Sequence, residues 1–210
     1  MSDSTPDSFE QPFSCSGSKQ KVEVIYGPTF SGKTEEFIRR LRKTEHAGEQ
    51  IQAFKPEADT RHGRNEKIVS HGGETYDAHR VTDADDIFSY LSPSSSVVGI
   101  DEVQFFDSRI ISVIRTIASH DCRVILAGLD LNFKGETFGH TLDFVALADK
   151  HQKLYASCAI CGSKADRTQR LVDGEPAHSD NPTVVIGGNE IYEPRCRKHH
   201  IVKQVRSNYF

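Results

Sequence analysis

Residues Gly27-Pro28-Thr29-Phe30-Ser31-Gly32-Lys33-Thr34 satisfy the pattern G-x-x-x-x-G-K-[ST] at every defined position. The spacing has a chemical reason. Two glycines let the backbone curl so that its N–H groups surround a phosphate, and the helix that follows presents its positive end. In such a loop the lysine, here Lys33, reaches the β- and γ-phosphates, and the Thr34 hydroxyl ligates Mg²⁺. The motif needs a strand before it and a helix after it. Val22–Tyr26 reads as a β-branched strand, and Phe37, Ile38 and Leu41 recur at helical spacing over 34–47 before Gly48.

A second constellation is Asp101-Glu102, which closes the apolar run Val97–Ile100. In doubly wound sheets ligands gather outside the carboxyl ends of the strands. An Asp at that place holds Mg²⁺ through the phosphate loop. The adjacent Glu102 serves either as the base that takes a proton from an attacking hydroxyl or as a water-positioning group. An alcohol acceptor makes a kinase, and water makes an ATPase.

A third constellation is Cys158-x-x-Cys161 with Cys196-x-x-His199. Three thiolates and one imidazole make a closed tetrahedral zinc site of the structural kind. His200 stands beside His199, so either is a candidate for the fourth ligand. The 165–194 segment, tied at both ends by metal, reads equally as a lid that excludes water and as the filling of a ribbon-type metal domain. Cys122 lies in a core strand, where packing is its expected role. Cys15 has no assigned role.

The elements that position these groups alternate. A strand at 51–54 follows the first helix. The polar stretch 55–80 is long for a loop and is expected to be functional or partly structured. Strands are expected at 97–100, 122–128 and 151–156, and helices at 108–119 and 141–150. Strands apolar on both faces and alternating with helices predict an α/β parallel sheet flanked by helices. Four regions are expected: a disordered tail at 1–20, a phosphate-loop core at 21–157, a zinc-binding segment at 158–200 and a C-terminal tail at 201–210.

Composition bounds the rest. The chain has 210 residues, 36% hydrophobic and 27% charged, with a net charge of −4. No run approaches the roughly 20 apolar residues that span a bilayer, and the polar start lacks the pattern of a secretory leader. A dominant basic patch is missing, which weighs against a zinc-ribbon ATPase that grips nucleic acid. Five cysteines at uneven spacing argue against a disulfide framework and for a reducing compartment.

Taken together, GPTFSGKT (27–34), FKPEADTRH (54–62), SHGG (70–73), GIDEVQFFD (99–107), AGLDLNFKGETFG (127–139), VVIGG (184–188) and YEPRCRKHH (192–200) resemble the type II thymidine kinases, over about residues 20–200. The resemblance implies a RecA-like phosphate-loop core with a zinc-anchored lasso. It implies ATP–Mg as donor, thymidine as acceptor, a cytoplasmic homotetramer, and no nucleic-acid or membrane partner. By position, Gly27–Thr34 (Gly27, Pro28, Thr29, Phe30, Ser31, Gly32, Lys33, Thr34) would bind the phosphates, with Asp59, Thr60 and Arg61 near them. Asp101, Glu102, Val103 and Gln104 would border the nucleotide. Asp101 and Thr34 would hold Mg²⁺, and Glu102 would be the base on the 5′-hydroxyl. Phe133 would stack on thymine. Val184, Val185, Ile186, Gly187 and Gly188 would read the base edge, and Thr29, Thr168 and Tyr192 would complete the pocket.

Departures from the family pattern cluster near that pocket: Thr29 where Met is usual, Asn132 for Asp, Thr137 for Pro, and His140 and Thr141. Thr29 weakens the apolar grip on a 5-methyl group, so a related deoxynucleoside such as deoxyuridine is the alternative acceptor.

Overall fold

The computed structural model describes residues 22–58, 66–184 and 191–204. In chain order the elements are β1 (Val22–Tyr26), α1 (Lys33–His46), β2 (Ile51–Pro56), β3 (Lys67–Val69), β4 (Thr75–Asp77), β5 (His79–Val81), α2 (Asp86–Tyr90) and β6 (Val97–Ile100). There follow a 3₁₀ turn (Val103–Phe105), α3 (Arg109–Ser119), β7 (Arg123–Gly128), α4 (Thr141–Leu147) and β8 (Lys150–Lys153). The last part holds β9 (Ala156–Ser157), β10 (Lys164–Ala165), β11 (Arg167–Val172), β12 (Glu175–Pro176) and β13 (Ile191–Arg195).

Six strands form one sheet in the order β5-β2-β6-β7-β1-β8, every pair parallel. Side chains alternate between faces along each strand. Val24, Val124 and Leu126 point to the face covered by α2, α3 and α4. Ile25, Ile125 and Ala127 point to the other, where α1 lays down Phe37, Ile38 and Leu41. Gly99 in β6 permits that contact, because a Cβ there would come within 2.9 Å of both Phe37 and Leu41. The architecture is a parallel sheet between helices, as expected.

A charge is buried in the middle of this sheet. Glu23 of β1 is 2% exposed. It is compensated by Arg40 Nη1 at 2.8 Å and Arg123 Nε at 2.7 Å, so β1 stays a central strand despite a carboxylate.

The 55–80 stretch is partly structured, one of the two outcomes expected for it, while the bounds of the last helix and the last sheet strand need correction. The 55–80 stretch is mostly strand among its described residues: β3 and β4 pair as an antiparallel hairpin, and β5 joins the sheet edge beside β2. The helix expected over 141–150 ends at Leu147, and the last sheet strand is Lys150–Lys153 rather than 151–156. The cause is pairing with β1. The Asp149 N–H donates to the Val22 carbonyl, and the Asp149 carboxylate accepts from the Val22 N–H, which draws the chain into strand one turn early.

After β8 the chain leaves the parallel sheet. β9 and β10 form a short antiparallel pair, and β11 lies between β12 and β13 in a three-stranded antiparallel sheet.

Candidate active site

The phosphate loop joins β1 to α1, as its motif requires. Gly27 is obligatory in two ways: its φ is +150°, and a Cβ would lie 2.3 Å from the Leu154 carbonyl oxygen. Lys33 is buried in the loop it serves, its ammonium donating to the Pro28 carbonyl at 2.7 Å. Phe30 takes φ 63° and points outward, 45% exposed, its ring edge-on to His71 at 4.9 Å.

The two carboxylates follow β6. Glu102 adopts the left-handed conformation (φ 53°, ψ 41°) and is 3% exposed. The Asp101 carboxylate accepts the Glu102 N–H at 2.9 Å. Gln104 orients Glu102: its amide donates to the Glu102 carboxylate, while its carbonyl oxygen accepts the Leu129 N–H at 2.9 Å. Glu102 is thus held from the carboxyl end of the neighbouring strand, β7.

A cavity of about 530 Å³ brings Thr29, Gly32, Lys33, Thr34, Glu102 and Tyr192 together. These six were legible in the sequence. The same cavity is lined by Phe30, also expected, and by Glu35, Val69, His71, Leu129 and Ile191, which were given no role. His71 reaches it because the Gly72 N–H donates to Glu35 in the first turn of α1 at 3.1 Å, seating the β3–β4 turn beside the loop. The segment Ser70–Gly73 was the available signal for it. Leu129 had none.

Thr168 reaches the loop from β11. Its hydroxyl accepts the Thr29 N–H at 3.0 Å and donates to the Thr29 hydroxyl at 3.3 Å. Thr29, one of the departures from the family pattern, therefore ties the loop to β11. Asp101, Val103 and Gln104 are buried behind Glu102 and do not border the cavity. Phe133 is 3% exposed and also lies off the cavity wall. Val184 is exposed. Asp59, Thr60, Arg61, Val185, Ile186, Gly187 and Gly188 lie outside the described residues.

Cys158 and Cys161 stand around the β9–β10 turn, and Cys196 and His199 follow β13. One ligand atom from each lies within 4.8 Å of all the others. The separations are 3.7 Å for Cys158 Sγ–His199 Nδ1, 3.9 Å for Cys161 Sγ–Cys196 Sγ and 3.4 Å for Cys196 Sγ–His199 Nδ1. A zinc tetrahedron with bonds of about 2.0–2.3 Å has edges of about 3.5–3.8 Å, so the cluster fits that ion. Burial pushes the Cys158 thiol up, but hydrogen bonds from the backbone of Cys196, Cys161 and Ile160 and from His199 outweigh it and hold it at about 5. The thiolate is the form that binds metal. His200 is turned away from the cluster, its Nε2 hydrogen-bonded to the Phe133 carbonyl at 2.8 Å. Of the two histidines, His199 is therefore the one whose ring joins the three cysteines in a group that could hold the ion.

One solved structure, titled a crystal structure of a DNA replication initiation factor, aligns at 15% identity with a TM-score of 0.41, over 66% of this chain. The match takes in 41% of that protein, so this chain spans less than half of its length, and no argument rests on the likeness. The thymidine kinase family model matches residues 20–200. With the phosphate loop, the buried carboxylates and the Cys/His cluster in their places, the chain belongs to the thymidine kinase family, a family of ATP-dependent nucleoside kinases.

Proposed function

We propose that this protein transfers the γ-phosphoryl group of ATP to the 5′-hydroxyl of thymidine, giving dTMP and ADP for DNA precursor salvage. The observation that carries the reading is Glu102: a buried carboxylate, oriented by Gln104, facing the same cavity as Lys33 and Thr34. A sugar hydroxyl is a poor nucleophile until a base accepts its proton. Glu102 takes that proton. Lys33 and the loop N–H groups neutralise charge on the transferring phosphoryl group, and the cavity holds donor and acceptor in line. Thr34 and Asp101 would hold Mg²⁺, which supplies further charge neutralisation on the phosphates when bound. Asp59, Thr60 and Arg61 are assigned to the nucleotide, and Phe133 and 184–188 to the base, on the strength of the family pattern.

The deciding experiment is a deoxynucleoside panel with ATP. Conversion of thymidine to its 5′-monophosphate supports the proposal, and no turnover on any deoxynucleoside would falsify it. Deoxyuridine is kept as a second acceptor because the Thr29 hydroxyl is engaged with Thr168 where a longer apolar side chain would meet a 5-methyl group. Residues 21–157 form the catalytic core in this reading, and 158–200 the zinc-held lasso. A cytoplasmic homotetramer is the proposed assembly, with light scattering as its check. Among the described residues no helix is long and apolar enough to cross a membrane.

A further inference from the structure

We propose that Arg170 is a positioning residue for nucleoside binding, acting through the ring of Phe133. The proposal rests on the reading that Phe133 stacks on the base, which requires its ring, 3% exposed in this structure, to be uncovered when the nucleoside binds. Arg170 lies in the middle of β11, in register with Tyr192 of β13, and is 1% exposed. Its guanidinium carbon lies over the Phe133 ring, 4.9 Å from the centroid. Its Nη1 donates to the Pro182 carbonyl at 2.5 Å. One buried cation therefore bridges two separate parts of the chain: the segment after β7 that carries Phe133, and the segment that leads to Val184.

Phe133 is held at a second point. Its carbonyl receives the hydrogen bond from His200, the neighbour of the zinc-cluster residue His199. The backbone of Phe133 is fixed from the foot of the lasso, and its ring from β11. A desolvated guanidinium over an aromatic face is a strong contact, and its plane is part of the fit, which a lysine lacks. A ring fixed before the base arrives spares the base the cost of ordering it. Arg170 does not line the cavity that Lys33 and Thr34 share, and the loop meets β11 at Thr168 instead, so the proposal assigns Arg170 to nucleoside affinity and not to ATP.

The test is a set of variants assayed with both substrates. Arg170→Met keeps the volume and removes the charge and plane. It is expected to raise the nucleoside KM about tenfold or more, while the KM for ATP stays within about twofold. Arg170→Lys falls between wild type and Arg170→Met, and it carries the test under the same criterion if Arg170→Met does not fold. Phe133→Leu raises the nucleoside KM as well, and Arg170→Met adds little in that background, because both changes act through one ring. Equal rises in both KM values, an unchanged nucleoside KM, or fully additive losses in the double variant overturn the proposal. Wild-type turnover of thymidine is scored separately. If thymidine is not the acceptor, the same variants are read on the deoxynucleoside that the wild type does phosphorylate, so the two failures stay distinct.

Discussion

Glu102 holds a left-handed backbone conformation that costs a non-glycine residue about 1–3 kcal/mol, and strain of that kind persists where the surroundings enforce it. Gln104 and Asp101 are those surroundings. Glu102→Gln keeps the shape and removes the base, so kcat is expected to fall by about 10²–10⁴ with ATP affinity nearly unchanged, as steady-state kinetics would show. At Thr29 the expected effect is on selectivity. Thr29→Met should raise the thymidine-to-deoxyuridine ratio of kcat/KM by about tenfold, within the roughly 1–3 kcal/mol a hydrophobic contact of that size supplies; an unchanged ratio places the 5-methyl group elsewhere. The phosphate loop was legible because its chemistry dictates both residue types and spacing. The roles of Gln104, His71 and Arg170 were not. Gln104 works only because Leu129, 25 residues later, offers it an N–H, and that neighbour exists only in the fold.

The first helix shows how an element joins folding to the site. α1 buries Phe37, Ile38 and Leu41, and its charged side carries Glu36. The hydrogen bond from Arg39, with Arg40 contributing, outweighs burial and holds the Glu36 carboxyl at about 2, against an ordinary 4.5. A depressed carboxyl stabilises the fold above its unfolded value and loses that contribution as the pH falls. Urea unfolding from about pH 6 down through about pH 2 should therefore show the wild type losing more stability than Glu36→Gln, with the two curves converging only as the pH falls below about 2. Parallel curves would show that Glu36 is not held in solution. Periodicity found the long elements because their apolar faces are local facts. It misplaced the end of α4 because β8, a polar edge strand reading Lys-His-Gln-Lys, is a strand only through its pairing with β1. It likewise left 55–80 open, since three-residue strands carry too few residues to show a period.

At the scale of the molecule, the ends of the parallel sheet, the β3–β4 hairpin and the antiparallel β13 meet at one cavity, and a Cys/His cluster gathers the β9–β10 turn and the end of β13. Structural zinc contributes its binding energy directly to folding. Purified protein is expected to carry about one zinc per chain, and Cys161→Ser to lower both zinc content and Tm while raising the nucleoside KM. A variant with full zinc and an unchanged Tm would remove Cys161 from the ligand set. The Cys-x-x-Cys and Cys-x-x-His pairs announced this cluster at a separation that only the fold could close, and the turning away of His200 was visible only in three dimensions. The hydroxyl pair Thr29–Thr168 has a consequence for exchange between relatives. A loop that carries Met at position 29 keeps the backbone bond to Thr168 and loses the hydroxyl one, so loop and strand behave as a matched cassette. Chimeras that swap the phosphate loop alone should be handicapped, and those that move it together with β11 should recover.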